Sequence, residues 1–400
     1  MLSDVNVALG VTGSVAAVRV VELAHELRRR GATVRPIMTS AATNIIHPWA
    51  AEFGTEHTPI TEITGAVEHV ELCGRDGWAD VLLIAPATAN TIGKIAAGID
   101  DTPVTTAATT AIGADVPVVI APAMHEPMYD HPGVLDAIDT LESWDIPFVA
   151  PRVEENKAKM ATVDTIALET ACATTPDSLA DTEILLTTGG TAERIDPIRV
   201  LTNRSSGQMG RAIARSCYIR GADLTVVHGS ISMRHPSTSG LDERYADPDL
   251  PYASVIEVET AAEMRNAVFD HIDTADCFIS AAAISDYTVD TRDEKLKSGP
   301  ERTLQLHPTP KLVDQVRDEY PDLPIVGFKT ETTTDSTALI EAAKETMERA
   351  ELDCVIANDA SVMGAQSAHV HVVTDSITTE YSGDKSTVGD GIAAEISAIV

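Results

Sequence analysis

Short apolar runs alternate along the chain with stretches in which apolar residues recur at helical spacing. Residues 6–10 read as a strand, and 14–30 as an amphipathic helix with Val18, Val21, Ala24 and Leu27 on one side. Gly31 is placed to stop that helix, and residues 32–38 form the next strand. Further strands are predicted over 81–85 and 116–121. A second series starts at 184–188 and continues over 224–227, 277–280, 325–328 and 354–357. Strands alternating with helices predict α/β architecture with mostly parallel sheets. The polar, proline-bearing stretch 174–178 separates the two series and divides the chain into domains over 1–175 and 179–400. A short amphipathic helix is expected over 391–400.

Composition narrows the class. Sixty-one acidic residues face 29 basic ones, a net charge of −32, and nine of the basic residues are lysine. The acids are spread over every segment, so they read as a solvated surface of the kind found in extreme halophiles, where salt screens self-repulsion. No basic stripe exists to neutralise phosphates, which disfavours nucleic-acid partners. No apolar run reaches the length of a membrane span, and Asp4 interrupts the N-terminus where a leader needs basic and then apolar residues; a cytoplasmic protein is expected. Five scattered cysteines without a C-x-x-C pair argue against a disulfide framework or a zinc site.

The chemistry gathers at the ends of strands. Gly10-Val-Thr12-Gly13-Ser14 joins the first strand to a helix, and backbone amides at such a junction, with two glycines allowing close approach, suit a phosphate; a tight turn without ligand would need only one glycine. Thr39 follows the second strand. Pro86-Ala87-Thr88-Ala89-Asn90 follows another, and Pro122-Ala-Met-His125-Glu-Pro-Met-Tyr129 a fourth. Small hydroxyls and prolines at strand C-termini mark where a doubly wound sheet binds its ligand. His69 lies ahead of the strand that carries the Pro86 loop; taken alone it reads as a histidine on a strand edge.

The strings G-V-T-G-S-V-A-A, A-P-A-T-A-N and P-A-M-H-E-P-M-Y, in that order, resemble the flavodoxin-like family of cysteine decarboxylases over about residues 4–165. The resemblance implies a doubly wound parallel sheet that binds FMN through Gly10, Thr12, Gly13, Ser14, Thr39, Pro86, Ala87, Thr88 and Asn90, with His69 catalytic. Loss of CO2 from a cysteine carboxylate needs an electron sink, and oxidation of the thiol by the flavin provides one. A histidine poised near neutrality suits the proton transfer. Two departures stand out. His125 occupies the position where bacterial members carry an asparagine that holds the substrate carboxylate, so His125 is expected to take that role. The flap cysteine that serves those members as proton donor has no counterpart in residues 153–160, where Lys157 and Lys159 are the candidates.

The second series carries a longer pattern. Gly189 and Gly190 end a strand, and Arg194-Ile-Asp196-Pro197-Ile-Arg199 leads to Asn203-Arg-Ser205-Ser206-Gly207, whose amides open a helix over 209–220. The dinucleotide fingerprint G-x-G-x-x-G is absent. With Ser280-Ala281-Ala282, Asp286, Lys295, Thr309-Pro310-Lys311-Leu312-Val313, Phe328 and Ala357-Asn358-Asp359, this pattern resembles the phosphopantothenate–cysteine ligase family over about 184–360. The resemblance implies a Rossmann-like α/β domain that activates 4′-phosphopantothenate with CTP to an acyl-cytidylate, which cysteine opens to an amide. Lys295 matches the lysine that meets charge at the α-phosphate, Asn203 the residue that handles the acyl intermediate, and Asp286 an acid that meets the nucleotide or Mg2+. Gly189, Ser280, Ala281, Ala282, Pro310, Lys311, Leu312, Val313 and Phe328 are the expected nucleotide contacts, and Lys344 and Arg349 lie nearest, in imperfect register, to the family's triphosphate lysines. The family also implies a homo-oligomer, with trimeric decarboxylase and dimeric ligase contacts giving a dodecamer. The rival readings are a single-activity flavin-binding cysteine decarboxylase and a regulatory flavoprotein; neither accounts for the Asn203 and Lys295 motifs.

Overall fold

In a computed structural model that describes residues 1–154, 157–230, 250–360, 365 and 367–400, the chain divides into two units, Met1–Pro176 and Asp177–Val400. The first apolar run becomes β1 (Asn6–Val11), which pairs in parallel with β2 (Thr33–Met38) and β3 (Val81–Ala87); β4 (Val118–Pro122) lies beyond β3. The order β2-β1-β3-β4 is that of a flavodoxin-like sheet. All seven residues of β3 are buried, as expected of a strand with helices over both faces. The connections leave β1 and β3 in opposite directions, so the crevice at their C-terminal ends is the topological switch point. Gly10 pairs with Ile37 on one side and Ile84 on the other, which brings the loop after β1 beside the loop after β3.

The stretch 14–30 is not one helix. Ser14 caps a 3₁₀ turn, Val15–Arg19, and the α-helix proper is Val20–Arg29, with Val20, Leu23, Ala24 and Leu27 buried. The turn leaves Val15 and Val18 78% and 60% exposed, so the apolar stripe read from the sequence is only partly a core stripe.

In the second unit, β5 (Glu183–Gly189), β6 (Asp223–Gly229), β7 (Ser254–Val258), β8 (Cys277–Ser280), β9 (Ile325–Glu331) and β10 (Cys354–Asp359) pair in parallel. Their order is β7-β6-β5-β8-β9-β10, the doubly wound Rossmann arrangement, with its switch point between β5 and β8. An antiparallel hairpin, β11 (Ser367–Val373) and β12 (Thr378–Asp384), extends the sheet past β10. One face is covered by the helices Gln208–Ile219 and Lys385–Ile396, whose Ile213, Cys217, Val388, Ile392 and Ile396 share a core with Leu186, Val226 and Ile356. Gly389 lets those helices touch: a Cβ there would lie 2.9 Å from the backbone of Ala212. The last helix therefore starts at Lys385, earlier than the apolar pattern predicted. Among the described residues no helix is long and apolar enough to cross a membrane.

Candidate functional site

Each unit carries a cavity at its switch point. In the first, Thr12, 1% exposed, ties the two loops together: its hydroxyl donates to the Pro86 carbonyl at 2.7 Å and accepts from the Thr88 amide at 3.1 Å. Ser14 donates to the Ala123 carbonyl at 3.0 Å, which adds the loop after β4. Thr88 and Thr39 cap the short helices that follow β3 and β2, accepting from the amides of Thr91 and Ala42. Gly13 is required by close approach, since a Cβ there would lie 2.6 Å from that of Ala41. The resulting cavity of about 410 Å³ is walled by Gly13, Ser14, Thr88, Met124, His125, Met128 and Met160, with Arg19, Arg152 and Lys159 also lining it.

The fit to a flavin phosphate is physical: hydroxyls and amides of three loops, a glycine that no side chain can replace, and room for a ring between methionines. Gly10, Pro86 and Ala87 are buried and stand outside the lining, as do Thr12, Thr39 and Asn90. His125 is exposed on a two-residue strand that pairs with 157–159; residues 155 and 156 lie outside the described residues, as does the side chain of Lys157. Arg19 and Arg152 carried no functional signal in the sequence, because neither belongs to a motif of glycines or hydroxyls.

His69 is not on the cavity wall. It sits in a single-turn helix, Glu68–Cys73, rather than on a strand edge. Val67, which precedes the helix, has φ +53°, a costly position for a β-branched residue, and backbone strain of this kind collects at functional sites. Nδ1 of His69 is buried and has no hydrogen-bond partner among the described residues. Hydrogen bonds from the Thr64 hydroxyl and amide hold the neighbouring Glu68 carboxyl below its ordinary range. Cysteines offer no rival nucleophile at neutral pH in Cys73, Cys217, Cys277 and Cys354: burial pushes Cys73, Cys217 and Cys354 up to about 12, and Cys277 further.

At the second switch point two cavities of about 410 and 320 Å³ share a wall of Ala282, Ile284, Asp286 and Phe328. The larger is lined by Ser280, Pro310, Lys311, Leu312 and Val313, and by Lys329 and Arg349, which stand nearer the site than Lys344 does; Lys344 is exposed and lines neither cavity. Its charges are self-paired: Lys311 with Asp286, Lys329 with Glu331, and Arg349 with Asp314. The smaller cavity is lined by Ala281, Ala283, Asn358, Lys385 and the start of the helix Gln208–Ile219, Ser205-Ser206-Gly207. Asn203 braces its two walls, its amide donating to the Ala283 carbonyl while its oxygen accepts from the Ser205 amide at 3.0 Å. Gly189 sits behind it at φ +83°, packed under Gly207.

The acid of the Arg194–Arg199 motif is structural. Asp196, 2% exposed, accepts from the amides of Ile198, Arg199 and Leu296 and pairs with the Arg199 guanidinium at 2.6 Å. Burial raises its pKa, but these donors outweigh it and hold the carboxyl down to about 2. The Arg199 guanidinium also donates to the Leu296 carbonyl at 2.9 Å, so this cluster anchors the loop beside Lys295, whose own side chain is exposed and outside both cavities. Among the described residues no three His, Cys, Asp or Glu side chains gather to hold a metal.

Residues 1–174 match the Flavoprotein family, and residues 179–399 match the family described as DNA/pantothenate metabolism flavoprotein C-terminal domain. The chain is 45% identical over 372 residues to the coenzyme A biosynthesis bifunctional protein CoaBC of Thermococcus kodakarensis, covering 92% of this chain and 88% of the relative. It is 35% identical to the protein of that name from Methanocaldococcus jannaschii, over 100% of this chain and 95% of the relative. With the Bacillus subtilis counterpart the identity is 33%, over 94% and 91%.

Proposed function

The chain belongs to the family of bifunctional coenzyme A biosynthesis proteins, and on that premise we propose how its two units divide the chemistry. The second unit ligates 4′-phosphopantothenate to cysteine, and the first decarboxylates the product to 4′-phosphopantetheine. The observation that carries this reading is a pair of separate strand-end sites, one a cavity of hydroxyls and methionines and one a pair of adjoining cavities rich in charge, at the switch points of two different sheets. A single-activity decarboxylase or a regulatory flavoprotein leaves the 179–399 unit without a purpose.

In the ligase unit CTP and the substrate carboxylate form an acyl-cytidylate with loss of pyrophosphate. The cysteine amine then attacks the acyl carbon, and CMP leaves. Lys295 meets the charge that develops at the α-phosphate, and Asn203, hydrogen-bonded to both walls of the smaller cavity, orients the acyl group for attack. Lys311, Lys329 and Arg349 exchange their carboxylate partners for nucleotide phosphates. Mg2+ would be held chiefly by those phosphates, with Asp286 the protein carboxylate on hand.

In the decarboxylase unit Gly13, Ser14 and Thr88 hold FMN with the loops behind them. When bound, FMN supplies the oxidation that makes the cysteine portion an electron sink for departure of CO2, and returns the electrons afterwards. His125 holds the substrate carboxylate as a hydrogen-bond donor. The buried, unpartnered Nδ1 of His69 among the described residues supports a role as proton carrier, and Lys159, on the cavity wall, is the candidate donor where bacterial members use a cysteine. Because His69 and Lys295 stand outside the cavities of their own chain, the homo-oligomer gives both a place to act, at the cavity of a neighbouring copy. Exposed apolar side chains support such contacts: Val67 and Val70 flank His69 at 49% and 48% exposure, and Trp49 and Phe53 are 75% and 71% exposed.

The dispersed charge of −32 calls for assays in concentrated salt. Given 4′-phosphopantothenate, cysteine, CTP and Mg2+, the FMN-loaded protein should release 4′-phosphopantetheine, CO2 and CMP in equal amounts. Accumulation of the amide without CO2 would leave only the ligase, and absence of CMP would remove it.

A further inference from the structure

The C-terminal helix begins at the smaller ligase cavity. Lys385 is its first residue, and the contact of Gly389 with Ala212 sets that start beside the N-terminus of Gln208–Ile219. There the Lys385 ammonium donates to the Gln208 side-chain oxygen at 3.0 Å and joins Ser205, Ser206 and Gly207 in lining the cavity. In a chain this acidic, lysines near the site find carboxylates, as Lys311 and Lys329 do. Among the described residues Lys385 has only a neutral amide as partner. Burial lowers its pKa, the direction produced by removing a cation from water without giving it a counter-charge.

The neighbouring cavity has its own cations in Lys311, Lys329 and Arg349, enough for the nucleotide phosphates. The smaller one presents a lysine, two serine hydroxyls and the free amides of a twelve-residue helix to a single space. That set suits a compact anion carrying two charges and several acceptor oxygens. Resting on the ligase reading, we propose that Lys385 binds the 4′-phosphate of phosphopantothenate against Ser205-Ser206-Gly207, and so selects the phosphorylated substrate over free pantothenate. The hairpin β11–β12 and the last helix then have a functional reason to be part of the unit, since they carry the cation to the site from 177 residues away in sequence.

The test uses the full chain and two measurements. Calorimetric titration with 4′-phosphopantothenate, without nucleotide, should show Lys385→Gln weakening affinity roughly ten- to hundredfold, the loss expected for a charge-assisted hydrogen bond. Lys385→Arg should recover most of it. In steady-state ligation, Lys385→Gln should raise KM for 4′-phosphopantothenate by a similar factor, leave KM for CTP unchanged and leave kcat/KM for pantothenate unchanged. Unaltered affinity, a rise confined to CTP, or an equal loss with pantothenate would each overturn the assignment; the second would give the cation to the nucleotide instead. A wild-type protein that binds 4′-phosphopantothenate but forms no amide would sink the ligase reading, while the binding comparison would still decide the role of Lys385.

Discussion

The two strand-end sites occupy equivalent places in equivalent architectures, yet they are built differently. At the first, polar atoms are satisfied by backbone groups of neighbouring loops: Thr12 with Pro86 and Thr88, Ser14 with Ala123. What remains open to a ligand is mostly methionine and small side chains. At the second, Lys311, Lys329 and Arg349 are neutralised by acids of the same chain, and a ligand must exchange with those acids. The first site is preorganised in shape, the second in charge. A flat, largely apolar ring gains from a fixed slot, whereas a polyphosphate gains from cations whose partners it replaces. The comparison predicts that damage to the first site is all-or-none, because geometry fails as a unit, and that damage to the second is graded and separable by step.

The largest effect should follow from His69→Asn. Removing the proton carrier costs decarboxylation on the order of 10²–10⁴-fold, while FMN content and the rate of amide formation stay as in the wild type. Absorbance of the bound flavin, CO2 release and amide yield from one preparation report all three. Equal loss of amide formation would mean that the units do not work separately.

A smaller and more discriminating effect should come from the ligase. Lys295→Gln should slow both pyrophosphate release and amide formation by about a hundredfold, the loss of ~3 kcal/mol at the transition state. Asn203→Asp should still release pyrophosphate in a single burst while amide is scarce, because Asn203 acts on the acyl group after activation. Both products are measured in one quenched reaction. Should both fall together in the Asn203 variant, the division of labour between the two steps is wrong, and the second site is as all-or-none as the first.

How much of this was legible in the sequence follows from where each signal resides. The strand-end loops were readable because glycine and hydroxyl side chains sit there for local reasons, such as the contact of Gly13 with Ala41 and the caps made by Ser14, Thr39 and Thr88. The setting of His69 was not, because Val67, Val70 and Leu72 fit a strand edge as well as one turn of helix. The hairpin was missed for a different reason. Thr378–Asp384 is a polar edge strand without an apolar alternation, and its partner Ser367–Val373 has histidines at alternate positions. Lys385 reaches its cavity only through tertiary packing, so no local pattern marks it, whereas Arg349 was legible beside Lys344 and lines the larger cavity. Lys344 illustrates the converse: a lysine on the right helix, facing solvent.

One of those hairpin histidines gives the smallest prediction and sharpens the contrast between units. His371, 3% exposed, pairs in register with Ala357 on β10. Burial lowers its pKa, and the neighbouring His369 lowers it further, against an opposing pull from Glu380. Above the ordinary histidine value of 6.5 both folded and unfolded chains hold His371 neutral, and its burial carries no pH-dependent cost. As pH falls through 6.5 the unfolded chain takes up a proton that the folded one resists, so the second unit loses stability on mild acidification. All three tryptophans, Trp49, Trp78 and Trp144, lie in the first unit, so their fluorescence follows that unit alone. Amide hydrogen exchange in Cys354–Asp359 and Ser367–Val373 follows the other. Between pH 7.5 and 5.5 exchange in those strands, corrected for the intrinsic rate, should accelerate several-fold, and His371→Gln should flatten that dependence without altering the tryptophan signal. An unchanged slope in the variant would remove His371 as the cause, and a parallel change in tryptophan fluorescence would show that acid weakens both units through their shared excess of charge.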